Sequence, residues 1–268
     1  MTSGTKNHPV IFIHGMWIHS TAWQPWLELF ESHGYSASAP GWPGDSETVD
    51  ATRRNPDAMN NIGIDDLVQH YACLIGEPEV KPVLVGHSFG GLIAQELLAA
   101  GLAAAAVAID PAGIKGVKAL PLAQLRSAFP VLSNPTNRHR TVSLTAKQFS
   151  YAFGNTLTEA ESNALHDAWS IPGPGLPIFQ EAGANFAKNS PTRVDTHQAE
   201  RGPLLLTSGT EDHVVPYKVT TEVFEMYQEG PSDTEFHEFD GRGHSLTIDS
   251  CWSDVAEVAL KWLDNKGF

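Results

Sequence analysis

Apolar residues along this chain follow two alternating patterns, short continuous runs and longer stretches with a helical period. The first run covers 10–13 and ends at His14-Gly15. In the stretch after it, apolar side chains recur at i, i+3, i+4 and i+7, namely Trp23, Trp26, Leu27 and Phe30. This spacing places them on one face of a helix. Thr21 with Gln24 predicts a capping box at its start, and Gly34 predicts its end.

The same alternation continues to the end of the chain and predicts the fold class. Further strand-like runs cover 35–39, 83–86, 103–110, 203–209 and 234–239. Helical patterns occur between these runs and after the last one. Continuous apolar strands that alternate with helices are typical of a parallel sheet covered on both faces. We therefore predict a doubly wound α/β protein with a mostly parallel sheet.

The stretch 112–201 interrupts this alternation. It holds helical patterns, proline-rich turns and scattered aromatic residues, but no clear strand of the main sheet. Thr158 and Glu161 predict another capping box inside it. Because so long a segment between sheet elements exceeds an ordinary loop, we interpret it as an inserted helical cap. The predicted core then consists of 1–111 and 202–268.

Composition narrows the range of partners and locations. The 268 residues carry 17 Lys and Arg against 31 Asp and Glu, a formal net charge of −14. Such a surface repels nucleic-acid phosphates and anionic lipids, so neither partner is expected. Two cysteines without paired spacing give no disulfide framework or zinc knuckle and favour a reducing cytoplasm. The first residues show no secretion signal, and no apolar stretch predicts a membrane span.

A serine in the middle of the sequence has the surroundings of a nucleophile. Gly86-His-Ser-Phe-Gly90 matches the G-x-S-x-G pattern, with a strand predicted before it and a helix after it. A serine on such a sharp turn is lifted away from the sheet, and the glycines let neighbouring chain pass closely. The helix behind Ser88 directs free N–H groups toward negative charge that develops there. Ser88 is therefore the candidate nucleophile.

A serine hydroxyl needs a base, because it is a weak nucleophile until its proton is removed. Among the 12 histidines, His244 lies in a glycine-flexed loop between the last predicted strand and the last helix. That loop belongs to the carboxyl edge of the sheet, where reactive groups gather in open α/β proteins. His87 and His213 compete by their closeness to other motifs. We predict His244 as the base.

An acid that orients this histidine is expected at the same edge. Asp212 follows a predicted strand and precedes a helix that Pro216 initiates. The chain order Ser88, Asp212, His244 is the order expected where a G-x-S-x-G turn carries the nucleophile in this fold class. Asp110, at the end of the preceding strand, is an alternative acid, and Glu211 beside Asp212 stays open.

Two backbone N–H groups are expected to bind an oxyanion next to Ser88. One belongs to Phe89, directly after the serine, and the second comes from the loop after the first strand, at Met16 or Trp17. Aromatic residues of that loop and of the cap are candidates for the substrate pocket: Trp17, Phe149, Phe153 and Trp169.

Four motifs in order make the chain resemble the α/β-hydrolase superfamily over essentially its whole length: "HG" after the first strand, "GHSFGG", "GTEDHVVP" and "GRGHS". The layout is similar to that of short members without a cofactor, such as plant methylesterases, hydroxynitrile lyases and small bacterial esterases. With only nine residues before Val10, we expect the antiparallel strands that open the full family sheet to be missing. A serine rather than an aspartate as nucleophile argues against dehalogenase and epoxide-hydrolase chemistry.

The resemblance implies an enzyme with no cofactor and no metal. We expect a carboxylic ester of a small apolar or aromatic substrate to be cleaved through an acyl-enzyme. Three alternatives remain: the same residues used for lactone or carbon–carbon hydrolysis, for hydroxynitrile cleavage or for cofactor-free haloperoxidation. A non-catalytic ligand receptor is a further hypothesis, from a different class. Oligomeric state stays open, with a homodimer as one option.

Overall fold

Six of the eight strands form one parallel sheet in the computed structural model, which describes residues 6–268. Residues 1–5 lie outside the described residues. The start of the predicted core segment 1–111 and part of the stretch in which no secretion signal is predicted fall on them. The strands of residues 6–268 are β1 (Val10–Ile13), β2 (Ala37–Ser38), β3 (Val83–His87), β4 (Ala105–Ile109), β5 (Thr141–Val142), β6 (Gly173–Pro174), β7 (Leu204–Gly209) and β8 (Thr234–Phe239).

Helices cover the sheet and fill the segment between β4 and β7. Within the same residues they are α1 (Gln24–Ser32), α2 (Val49–Arg54), α3 (Ile64–Ile75), α4 (Phe89–Ala99), α5 (Leu122–Leu132), α6 (Ala146–Ala152), α7 (Glu159–Trp169), α8 (Leu176–Ala182), α9 (Tyr217–Gln228) and α10 (Trp252–Lys266). Within residues 6–268, no helix combines the length and the apolar character needed to cross a bilayer.

The strand order in the main sheet is β2-β1-β3-β4-β7-β8. Every neighbouring pair is parallel, for example with Val85 beside Val107 in β3 and β4. Parallel neighbours need crossover connections, which the helices supply. The prediction of an α/β fold with a mostly parallel sheet is confirmed.

Two apolar layers lie on opposite faces of this sheet, because successive strand residues point in opposite directions. In β3, Val83 and Val85 face one layer with α1 and α10, while Leu84 faces the other with α3, α4 and α9. Residues of α1 such as Trp26 and Phe30 are fully buried in the first layer. This double burial explains why the strands read as continuous apolar runs.

The segment between β4 and β7 contributes α5 to α8 and a small antiparallel pair of β5 with β6. Within the described residues, none of its strands joins the six-stranded sheet. It packs over the carboxyl end of the sheet, where Phe149 and Phe153 belong to the same apolar layer as Leu84. The predicted boundaries of a cap at 112 and 201 stay a prediction.

Of the two capping boxes predicted from the sequence, one is wrong and the other forms only in part. The capping box predicted at Thr21 and Gln24 is wrong, because α1 begins at Gln24 without a side-chain cap and the Thr21 N–H donates to His19 Nδ1 at 3.2 Å. Thr158 does cap α7, accepting the Glu161 N–H at 3.2 Å. The Glu161 carboxylate instead accepts the N–H of Ser250.

Candidate active site

Ser88 lies on the sharp turn that joins β3 to α4. Its backbone φ is 57°, a conformation that costs energy for any residue except glycine. Neighbouring chain holds the turn: the Ser88 N–H donates to the Ile109 carbonyl at 2.9 Å, and the Ala112 N–H donates to the Ser88 carbonyl at 3.0 Å. The serine is thereby fixed at the carboxyl end of the sheet, where it lines a cavity.

Gly86 and Gly90 are required by close packing on either side of the serine. A Cβ at Gly86 would overlap the Gly90 carbonyl, and a Cβ at Gly90 would overlap the Ile13 carbonyl. No larger residue fits either position without moving backbone. These two contacts explain the glycine spacing around Ser88.

His244 and Asp212 form a buried pair at the same end of the sheet. Nδ1 of His244 lies 2.6 Å from Oδ2 of Asp212, and both side chains are fully buried. Oδ1 of Asp212 accepts the N–H groups of Val214 at 2.6 Å and Val215 at 2.9 Å, which fixes the carboxylate. Asp212 follows β7 and His244 follows β8, so two adjacent strands bring them together.

The protonation of this pair suits proton transfer. Burial lowers the pKa of the His244 imidazole below its ordinary value, so the ring is neutral at neutral pH. With the Nδ1–H donated to Asp212, Nε2 carries the lone pair. Nε2 makes no hydrogen bond to the described residues, so in this structure the Ser88 hydroxyl does not donate to it. Hydrogen bonds of this kind are often long before a substrate binds.

Asp110, the alternative acid, is also buried here but occupies a different place. Its Oδ1 accepts the Gly209 N–H at 2.8 Å. Burial first, and then the charge of Asp212, raise the pKa of Asp110 well above its ordinary value, so this carboxyl group is neutral. Burial also raises the pKa of Asp212, to about 7, although the hydrogen bonds from the N–H groups of Val214 and Val215 oppose this rise. The structure therefore places Asp212, not Asp110, against Nδ1 of His244.

The three rivals considered from the sequence take other positions. The His87 ring is buried with its centroid 4.5 Å from that of His244, and burial lowers its pKa well below the ordinary value. Nδ1 of His213 pairs with the Tyr151 carbonyl at 2.9 Å. The Glu211 side chain is exposed to solvent.

Asp110, Asp212 and His244 also offer three potential metal ligands, with ligand atoms within 4.8 Å of one another. However, the facing atoms of Asp212 and His244 are already joined by a 2.6 Å hydrogen bond. The remaining oxygen of Asp212 accepts two N–H groups. This donor set fits a hydrogen-bonded pair better than a metal site.

Ser88 and two residues of neighbouring loops have strained backbone conformations. Among residues 6–268, four non-glycine residues have positive φ, and Trp17 (67°), Ser88 (57°) and Asp110 (42°) are three of them. Ser88 and Asp110 directly follow β3 and β4, and Trp17 lies in the loop after β1. Such strain is typical of functional sites, where the surrounding structure holds the chain in an unfavourable conformation.

The candidate oxyanion donors, Met16 and Phe89, line the same cavity as Ser88. Phe89 is the first residue of α4, so its N–H has no partner within the helix. Met16 lies in the loop after β1, and Gly15 of that loop packs against the Ser88 side chain. The positive end of the α4 dipole also points toward this region.

Two adjoining cavities lie between the sheet and the segment above it. The inner cavity, about 30 Å³, is bounded by Ser88 and by mostly apolar side chains. The outer cavity, about 270 Å³, extends toward the surface between α5 and α8. Of the predicted pocket residues, Trp17 and Phe153 line the inner cavity. Phe149 stacks behind Phe153 with 4.8 Å between ring centroids, and Trp169 packs against the apolar core.

Two polar residues that line both cavities could not be predicted from the sequence. Gln124 of α5 and Glu181 of α8 line both cavities. Neither belongs to a motif, and only the packing of the two helices over the sheet brings them to the site.

Comparison with known proteins identifies the family to which this chain belongs. A model described as the alpha/beta hydrolase family matches residues 10–258. A search of curated proteins finds no match.

Solved structures of similar fold cover nearly the whole chain. A monoacylglycerol lipase from Paleococcus ferrophilus is 22% identical with a TM-score of 0.67, over 97% of this chain and 96% of that one. A putative non-heme bromoperoxidase from Mycobacterium tuberculosis is 20% identical with a TM-score of 0.71, over 98% and 94%. An extracellular alpha/beta-hydrolase from a Paenibacillus species is 20% identical with a TM-score of 0.68, over 95% and 98%. At these identities the likeness concerns the fold.

Proposed function

Because the chain belongs to the alpha/beta hydrolase family, we propose that it is a serine hydrolase that cleaves carboxylic esters of small apolar or aromatic molecules. One observation carries this proposal. The buried His244–Asp212 pair, joined at 2.6 Å, lies at the same end of the sheet as the strained Ser88, and Phe153 contacts the His244 ring and lines the cavity of Ser88.

In the proposed mechanism, the Ser88 hydroxyl attacks the ester carbonyl while Nε2 of His244 takes its proton. Asp212 holds the ring in the tautomer with Nδ1–H and stabilises the imidazolium that forms. The N–H groups of Phe89 and Met16 bind the oxyanion, each contributing roughly 3 kcal/mol to the transition state. His244 then returns the proton to the leaving alcohol. A water molecule, activated by the same histidine, hydrolyses the acyl-enzyme and releases the acid.

The choice of an ester is supported by the inner cavity. Its walls are mostly apolar, with Met16, Phe89 and Phe153 near Ser88. The described residues place no lysine or arginine in this wall that would favour an anionic substrate.

The test combines covalent labelling with turnover. Incubation with a fluorophosphonate should add one adduct by intact mass, and peptide mapping should find it on Ser88. The Ser88→Ala variant should take no label. Ser127→Ala is the matched control, because Ser127 lines the same cavity but its hydroxyl donates to the His213 carbonyl at 2.8 Å; it should label like the wild type.

A panel of p-nitrophenyl esters then tests the reaction. Hydrolysis by the wild type and not by Ser88→Ala is expected. Labelling that persists in Ser88→Ala would overturn the nucleophile. Labelling of Ser88 without hydrolysis of any ester would keep the nucleophile and overturn the esterase assignment.

A further inference from the structure

The wall between the two cavities contains a carboxylate that the proposed mechanism does not use. Residues of α5 and α8 line both cavities, and the polar members among them are Gln124 and Glu181. A substrate that extends from Ser88 into the outer cavity therefore has to pass Glu181.

Glu181 is held in place from the core. Its Oε1 accepts the Gly113 N–H at 3.0 Å, from the loop after β4, and the Gln124 amide N–H at 3.4 Å. The structure gives Oε2 no hydrogen bond within residues 6–268. Part of the side-chain surface is accessible, and that surface faces the cavities. One oxygen is thus anchored and the other is available to a ligand.

No cation balances this carboxyl group. No lysine, arginine or histidine of residues 6–268 forms an ion pair with it, and burial raises its pKa to about 7 against the opposing effect of the Gly113 N–H. Because Oε2 faces the cavities without a protein donor, it gains a hydrogen bond when a ligand supplies one. Gln124 beside it can donate to the oxygen of the same ligand group. One acceptor next to one donor suits a hydroxyl group, whereas an ammonium group would need further acceptors.

The outer cavity suits an alkyl chain. Its wall is mostly apolar, and it reaches the surface near Leu120 and Phe186, which are 65% and 94% exposed. Leu122 and Phe129 add exposed apolar surface on α5. Apolar surface of this kind around an opening is typical of a binding groove.

We propose that Glu181, with Gln124, selects substrates that carry a hydroxyl group along an alkyl chain, at the point where the chain crosses from the inner to the outer cavity. This inference rests on the proposed function in that it places the reacting ester at Ser88. Glu181 is then a specificity-determining residue, and the substrate class is a hydroxylated aliphatic ester.

The test measures binding, so that it does not depend on turnover. The full-length Ser88→Ala protein is titrated by calorimetry with methyl esters of one medium-chain acid, either unsubstituted or with a single hydroxyl moved carbon by carbon along the chain. One hydroxyl position should bind about tenfold more tightly than the unsubstituted ester. Adding Glu181→Leu should abolish this gain. Adding Glu181→Gln, which keeps an acceptor for the Gly113 N–H, should reduce it.

The matched control is Glu96→Gln, a change at another buried carboxyl group, which lies on α4 and lines neither cavity. It should leave the tenfold gain intact. The inference is overturned if no hydroxyl position improves binding, or if the gain survives unchanged in both Glu181 variants. If Glu181→Leu does not fold, the Glu181→Gln result decides.

Hydrolysis by the protein with Ser88 intact is measured separately. Hydrolysis of plain esters without any hydroxyl preference overturns this inference alone. A hydroxyl preference in binding without hydrolysis of any ester supports the role of Glu181 and overturns the esterase assignment.

Discussion

At the scale of single residues, two buried aspartates at the end of the sheet have different states. Asp212 faces the His244 ring and accepts two further N–H groups, which favours its ionised form. Asp110 accepts one N–H and stays neutral, because burial and the nearby Asp212 raise its pKa. Two carboxylates so close together cannot both be charged at low cost. The neutral member of the pair is therefore Asp110.

This difference predicts unequal effects of two isosteric substitutions. Asp212→Asn should lower kcat by about 10⁴-fold, because an amide no longer stabilises the tautomer with Nδ1–H. Asp110→Asn should stay within about tenfold of the wild type, because a neutral amide replaces a neutral carboxyl group and can still accept the Gly209 N–H. Steady-state kinetics on the best ester of the panel measure both. If Asp110→Asn had the larger effect, Asp110 would be the acid.

At the scale of secondary-structure elements, α4 is almost completely enclosed and carries a buried carboxyl group. Glu96 on this helix has a pKa raised to about 9, by burial first and then by the charge of Asp65. Its Oε1 has no hydrogen-bond partner within the described residues. The folded protein therefore keeps Glu96 protonated at neutral pH, whereas the unfolded chain ionises it above pH 4.5.

The sign of the resulting pH dependence follows from this difference. Between pH 4.5 and about 9 the unfolded state holds fewer protons at Glu96, so this group lowers the free energy of unfolding as the pH rises. Glu96→Gln removes the effect. The variant should therefore gain stability over the wild type by about 1 kcal/mol per pH unit across this range. Urea unfolding at several pH values measures it, and Glu79→Gln, at an exposed side chain, is the control. A difference that does not change with pH would contradict the prediction.

The strands could be predicted because a parallel strand buried on both faces must be apolar throughout. The run at 10–13 coincides with β1 for this reason. The run at 234–239 also coincides with β8, although β8 is an edge strand that carries polar residues and is mostly not buried. The run at 35–39 shortens to Ala37–Ser38, which lies at the sheet edge and pairs only with β1. Helix starts are harder to predict, because several local acceptors compete for the same N–H. At Thr21 the His19 ring takes the place of the predicted cap.

For the molecule as a whole, residues that follow the core strands could be predicted, whereas Gln124 and Glu181 of the cavity wall could not. Ser88 directly follows β3, and Asp212 and His244 lie in the loops after β7 and β8; the parallel sheet brings such positions to one edge. Glu181 meets Gly113 across 68 residues of sequence, through the packing of helices whose arrangement no local pattern encodes. Phe149 was predicted to line the pocket, but it stacks behind Phe153 and does not line the cavity. Its position also depends on helix packing that no local pattern encodes.

Arg53 of α2 makes three of the polar contacts that join the segment above the sheet to the core. Its guanidinium donates to the carbonyls of Ser170 at 2.8 Å, Asp167 at 2.9 Å and His166 at 3.1 Å, at the C-terminal end of α7. A cation there also interacts favourably with the helix dipole. The neighbouring Arg54 is exposed and makes no such contact.

Arg53→Met should therefore loosen α7 while leaving the sheet intact. Without the guanidinium, the three carbonyls at the end of α7 lose its hydrogen bonds, and local opening of α7 costs less free energy than in the wild type. Hydrogen exchange followed by mass spectrometry should show exchange about tenfold faster in peptides covering 159–170, with β3 and β4 as protected as in the wild type. Arg54→Met should match the wild type in both regions. If hydrogen exchange became faster by the same factor in α7 and in the sheet, Arg53 would stabilise the whole fold. Loss of a local contact is expected to speed exchange only in the elements that the contact holds in place.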